Sequence, residues 1–164
     1  MKRVNATDRQ YLRTIIFGIE DSLVSTTGLI AGIGVGSDNK KFVLLAGFVA
    51  IFIEAISMGA GEYVSDDAVN NGPKQKNLPI INGFLMFFSY ILAGLLPLAP
   101  VLLASYPESL AYGILLAFAG LFLLGWAKGK ILGTSPLRSG LKILIVGGLA
   151  TIAGIVIGSF FEID

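Results

Sequence analysis

Cysteine and histidine are both missing from this chain of 164 residues. Without cysteine there is no disulfide framework, no thiolate metal site and no dithiol redox motif. Without histidine the chain lacks the commonest metal ligand and the usual proton carrier near neutral pH. Charge is scarce as well. Only 14% of the residues are charged, against about 25% in an average soluble domain. The net charge of +1 carries no basic excess of the kind that binds nucleic acid. Any metal or proton chemistry is left to Asp, Glu, Met, hydroxyl groups and backbone carbonyls.

What is abundant is apolar. Hydrophobic residues make up 54% of the chain and the mean hydropathy is +0.79. About 20 apolar residues in a helix cross a hydrocarbon core of about 30 Å. Five stretches qualify, roughly 14–36, 42–64, 80–103, 109–127 and 141–161. The expected fold class is an all-α integral membrane protein of five transmembrane helices, forming a single transmembrane domain over residues 1–164. Mostly short connections make successive spans antiparallel. With the N-terminus inside, ten Lys and Arg residues fall on the cytoplasmic side and only Lys40 and Lys41 outside. Positive charge is retained inside, which predicts a cytoplasmic N-terminus and an external C-terminus carrying Glu162 and Asp164. Tyr63 and Trp126 fall at the inner interface and Tyr106 and Tyr112 at the outer one, as aromatic belts do. Thr7 with Gln10 reads as a capping box that starts a short helix before the first span. Pro107 suits the first turn of the fourth span. Pro97 and Pro100 are expected to bend or end the third. The first basic cluster runs into a full-length span rather than a cleavable leader. The Asn5-Ala6-Thr7 sequon is read as chance, because it falls on the cytoplasmic side.

Two spans carry acids at a depth where lipid is expected. The first contains Glu20 and Asp21, and the second contains Glu54, Met58 and Glu62. A carboxylate at membrane depth is costly and is normally kept for ion or proton traffic. Glu54, Met58 and Glu62 are spaced by four, so they form one stripe along their helix. Ser57 and Gly61 flank that stripe. Asp21 lies about seven residues, or about 10 Å, from the inner end of its span. Met58 lies at nearly the same depth on the neighbouring helix. A ladder of carboxylate, thioether and carboxylate suits a divalent cation, with the sulfur favouring a softer transition metal over Mg²⁺ or Ca²⁺. Ordinary explanations stand beside this one. A lone Met is usually apolar filler, and Glu62 near the interface can face water or pair with a base. Glu20 and Asp21 point about 100° apart, so one of them can pair with a base near the membrane surface. Asp66 and Asp67 are expected in a solvated inner loop. Glycine is frequent, 21 residues, and Gly28, Gly32 and Gly36 repeat every four, as do Gly154 and Gly158. Such stripes permit close helix packing, either inside one bundle or across a dimer.

The run Gly18-Ile19-Glu20-Asp21-Ser22-Leu23-Val24-Ser25, together with Glu54-Ala55-Ile56-Ser57-Met58-Gly59-Ala60-Gly61-Glu62-Tyr63-Val64-Ser65, resembles the vacuolar iron transporter family. The resemblance implies a homodimer whose ion path lies between the subunits and is lined by the first helices. It places the family's aspartate on Asp21 and its methionine on Met58. It further implies export of Fe²⁺ or Mn²⁺ from the cytosol in exchange for protons, with metal as substrate and no cofactor. The metal-handling residues to test are therefore Asp21, Met58, Glu54, Glu62 and Glu20. The chain departs from plant members in two ways. The connection from Asp66 to Pro79 is too short for their cytoplasmic metal-collecting insertion. The acid that they place two turns before the methionine is Ala50 here, and Glu54 stands one turn before it instead. The pattern is that of a short prokaryotic-type member, expected in a cell membrane.

The competing readings are an uncoupled cation or proton pore using the same acids, and a non-transporting membrane subunit whose acids pair with a partner's bases. The two acid-bearing spans contain no basic residue to pair with the acids, which weakens the last reading. No nucleophile–base pair or phosphate-binding loop supports an enzyme.

Overall fold

The computed structural model describes residues 5–37, 39–69 and 77–161. They form α1 (Ala6–Ser37), α2 (Lys40–Val69), α3 (Leu78–Leu103), α4 (Glu108–Ile131) and α5 (Pro136–Phe160). All five are long and apolar enough to cross a membrane, and the described residues contain no strand. The connection holding Asn70, Asn71, Gly72 and Pro73, and the acidic end with Glu162 and Asp164, lie outside the described residues.

α1, α2 and α4 outrun their apolar stretches at both ends, where polar residues continue the helical hydrogen bonding, and α3 and α5 do so at their N-terminal ends only. At the N-terminus this removes the separate short helix. The Arg9 N–H bonds to the Asn5 carbonyl at 3.0 Å, so α1 is one helix and Thr7 lies within its first turn. Gln10 does not close a capping box. Its amide reaches a buried carboxylate instead, as described below. The two prolines of α3 do not end it. The helix passes through Pro97 and Pro100 to Leu103. Such breaks are tolerated in membrane helices where neighbouring elements take up the freed groups. The Ala104 N–H still reaches the Pro100 carbonyl at 2.9 Å, closing the end. Pro107 sits just before α4, at its cap.

The packing has α1 at its centre. It touches α2, α3, α4 and α5, and the outer helices pack in chain order, α2 on α3, α3 on α4 and α4 on α5. No α2–α5 contact closes the circle among the described residues. The outer four therefore form an open ring around α1. Two apolar clusters fill it. One joins Leu23, Ala93, Ala117, Leu121 and Ile143. The other joins Ile30, Val43, Ile51, Leu98 and Val101.

The glycine stripes belong to this interior. A Cβ at Gly32 would lie 2.6 Å from the Gly154 carbonyl oxygen, and one at Gly36 would lie 2.9 Å from that of Gly158. Gly28 meets Ala150 in the same way at 3.0 Å. Partner numbers rise together, so α1 and α5 run parallel with backbones in direct contact. The GLIAGIGVG and GLATIAGIVIG stretches thus look alike because they are the two faces of one joint.

Candidate functional site

Two hydrogen-bonded rungs link α1 to α2. Near one end the Thr14 hydroxyl donates to Glu62 Oε1 at 2.7 Å. Deeper in the bundle the Ser25 hydroxyl donates to Glu54 Oε2 at 3.0 Å. The stripe of Glu54, Met58 and Glu62 therefore faces α1, as the four-residue spacing requires. Tyr90 of α3 completes the deeper rung. It is fully buried. Its hydroxyl donates to the same oxygen of Glu54 and lies 2.6 Å from the Ser25 hydroxyl. Its own carbonyl accepts from Ser22 at 2.6 Å. Glu54, the deepest acid, is thus held by two hydroxyls from two helices, with no base beside it among the described residues.

Asp21 and Met58 fall between the two rungs, Asp21 about two turns from Thr14 and one from Ser25, Met58 about one turn from Glu54 and from Glu62, so they share a layer. Both are partly buried. Asp21 lies within electrostatic reach of Glu54 and Glu20. It also lies on the same face of α1 as Phe17, which is 49% exposed. Farther along that side, Leu29, Gly32 and Ile33 line an apolar groove with Gly154 and Ile157 of α5. Asp21 consequently stands on the open side of the ring. Glu20 points elsewhere. It pairs with Lys128 of α4 at 3.7 Å, so one acid of the adjacent pair has an internal base after all. The expected end of the fourth span at residue 127 concealed this, since α4 continues to Ile131 and carries Lys128 beside the first span. Among the described residues no three acids come close enough together to hold a metal ion.

Asp66 corrects another expectation. It is part of α2, not of a loop, and is only 6% exposed. Gln10 of α1 donates to both its oxygens at 3.0 and 3.1 Å. Asn82 of α3 donates to Oδ2 at 2.5 Å. The carboxylate therefore knots the ends of three helices. Asp67 is exposed, as expected. Tyr90, Ser25 and Thr14 were not singled out by the sequence reading. A tyrosine in mid-span, away from both interfaces, was the available signal, because a buried phenol needs a partner.

Residues 12–71 and 68–159 match the model of the VIT family. The two matched stretches meet at the end of α2, where the short connection begins. Vacuolar iron transporter homolog 2 of Oryza sativa subsp. japonica is 29% identical over 86% of this chain and 85% of its own length. Vacuolar iron transporter homolog 3 of Arabidopsis thaliana is 30% identical over 86% of this chain and 78% of its own. Vacuolar iron transporter 1 of Arabidopsis thaliana is 23% identical, aligned over 211 residues. That exceeds the 164 present here, so this relative carries segments that the chain lacks. The match over nearly the whole chain, with five membrane-length helices and acids on the first two, makes this multi-pass membrane protein a member of the VIT family.

Proposed function

We propose that the protein exports a divalent transition metal, Fe²⁺ or Mn²⁺, from the cytosol in exchange for protons, as a homodimer whose ion path runs along the open side of α1. The observation that carries this reading is the layer of Asp21 and Met58 between two acid–hydroxyl rungs. The relatives' names supply metal transport in general. The metal is substrate, with no cofactor and no enzymatic step.

The geometry supports three parts of the reading. Asp21 supplies the negative charge that offsets the cost of desolvating a cation. Met58 adds a soft ligand beside it. Glu54 supplies the proton step. As a carboxylate it accepts from Tyr90 and Ser25. A proton on Glu54 turns one of these bonds around, which gives the hydroxyls a route to pass it on. The dimer is supported by what one copy lacks. The described residues of a single chain bring no three acids together, while Asp21 faces the gap between α2 and α5. A second copy placed there would double the ligands. The membrane is taken to be that of a prokaryotic cell, from the short connection after α2.

Flux of Fe²⁺ and Mn²⁺ into liposomes holding the purified protein tests this, with and without an imposed pH gradient. The gradient should accelerate metal movement, and metal should drive proton counterflow. Glu54→Gln should reduce flux about a hundredfold, the lower end of what one positioned proton-transfer group contributes, and flatten its pH dependence. Metal flux indifferent to the gradient would identify an uncoupled pore. Proton flux without metal flux would identify a leak, and no flux would leave a non-transporting subunit. Single cysteines at Leu29 and Ile33 should cross-link in membranes if two copies meet there. Cysteines at Gly28, Gly32 or Gly36 would damage the α1–α5 joint and are unsuitable.

A further inference from the structure

The far side of the bundle from Glu54 contains a polar cavity that the transport reading does not use. It measures about 510 Å³ and lies between the end of α4 and the start of α5. Lys128, Arg138 and Lys142 bring three cations to it, with hydroxyls from Thr134, Ser135 and Ser139. Glu20 is its only acid among the described residues, and Lys128 is already paired with that carboxylate. Arg138 and Lys142 make no ion pair among the described residues, so the cavity keeps two uncompensated positive charges.

Its shape is fixed by the turn that bounds it. Gly133 adopts a left-handed backbone, φ 69°. The Gly133 N–H reaches the Lys130 carbonyl at 3.4 Å, and the Thr134 N–H reaches that of Gly129 at 2.9 Å. This paired closure of a helix end uses the one conformation that glycine adopts without strain. Gly129 then packs against Pro136, and Gly125 against Ser139 and Gly140. The two helices cannot close over the cavity, because backbone contact already sets their spacing.

One wall of the cavity is apolar. Leu132, Ile143 and Val146 line it, and Leu132 and Val146 remain exposed. Arg138, Lys142 and Val146 are spaced by four, so α5 presents a charged end that grades into an apolar one along a single face. A free inorganic anion would use only the upper half of such a site. A phosphodiester joined to acyl chains would use both. Arg forks and hydroxyl donors match phosphate oxygens. Basic pockets between membrane helices on the cytoplasmic side are a recurrent means of holding anionic headgroups.

We propose that this cavity binds the phosphodiester headgroup of an anionic phospholipid. The proposal is independent of the metal-transport reading and stands if that reading fails.

Native mass spectrometry of the detergent-purified full chain tests it. The probes are dioctanoyl phosphatidylglycerol, dioctanoyl phosphatidylcholine and inorganic phosphate, each added alone and in competition. Phosphatidylglycerol should give the dominant adduct. Arg138→Gln with Lys142→Gln should lower it at least fivefold and leave the phosphatidylcholine adduct unchanged. Lys41→Gln with Lys130→Gln removes the same charge outside the cavity and should leave both adducts unchanged. All four positions are solvent-exposed or interfacial, and a thermal unfolding scan of each variant confirms folding. Equal loss in both double variants would reduce the effect to overall charge and overturn the site. An undiminished adduct in the first would also overturn it. Displacement of the lipid by equimolar phosphate would make the ligand a free anion and overturn the assignment to lipid.

Discussion

Toward α2 and α3, α1 presents Gln10, Thr14, Ser22 and Ser25, and each of these reaches across the helix gap to a carboxylate or carbonyl oxygen. Toward α5 it presents Gly28, Gly32 and Gly36, and the contact there is backbone against backbone. The first side is joined by directional bonds to groups that can gain or lose a proton or an ion. The second is joined by shape alone. Hydrogen bonds can be exchanged for water or metal at small net cost, whereas close packing has no substitute partner. In the proposed reading the chemistry belongs to the α2–α3 side and the mechanical support to the α5 side.

The sharpest way to separate the two sides is to remove charge on one and space on the other. Asp21→Asn should abolish flux of every divalent metal to the level of empty liposomes, because the neighbouring Glu20 is turned away to Lys128 and Glu54 is engaged by two hydroxyls, while thermal stability stays near that of the parent. Glu20→Gln breaks only the surface-side pair with Lys128 and should change flux little, since pairs of this exposure are worth about 0–1 kcal/mol. Equal losses in these two variants would erase the distinction between the adjacent acids.

Gly154→Ala probes the opposite side. Its new methyl would fall on the Gly28 carbonyl, and overpacking of this kind costs about 1–3 kcal/mol. Gly148→Ala, in the same helix, meets nothing within 4 Å and should shift stability by less than about 1 kcal/mol. Thermal unfolding in detergent checks both. Similar melting temperatures for the two would mean that the α1–α5 joint is not tight.

Met58→Leu should produce the smallest effect. It keeps volume and removes sulfur, so Fe²⁺ and Co²⁺ flux should fall a few-fold while Mn²⁺ falls less. A uniform loss across the three metals, measured in the same liposomes, would move Met58 from ligand to packing.

Much of this arrangement was readable before any coordinates. Helix number follows from apolar length, and the α2 stripe from a spacing of four. The pairing of helices was less accessible. Nothing local distinguishes Gly28 and Gly32 packing on α5 from the same residues packing on a second chain, because both partners need only a small residue every fourth position. Glu20 and Lys128 are 108 positions apart, and only the antiparallel docking of α4 on α1 brings them together. Asp66 was misplaced because a charged residue after an apolar run ordinarily marks the membrane surface. Its burial depends on two amides, Gln10 and Asn82, from two other helices. Tyr90 failed to stand out because aromatic residues are common in spans, and its role arises from a carboxylate on a different helix.

The parallel contact of α1 with α5 also orders events in time. A chain synthesised from its N-terminus inserts α1 first and α5 last, so the seam of Gly28, Gly32 and Gly36 waits without its mate until the final helix has left the ribosome. Until then the bundle lacks its rear wall, and α1 is held by α2 and α3 through the hydroxyl rungs and by α4 through Lys128. Locking of the core therefore waits for α5. A nascent chain cut short before Gly154 would present an open glycine seam to the bilayer.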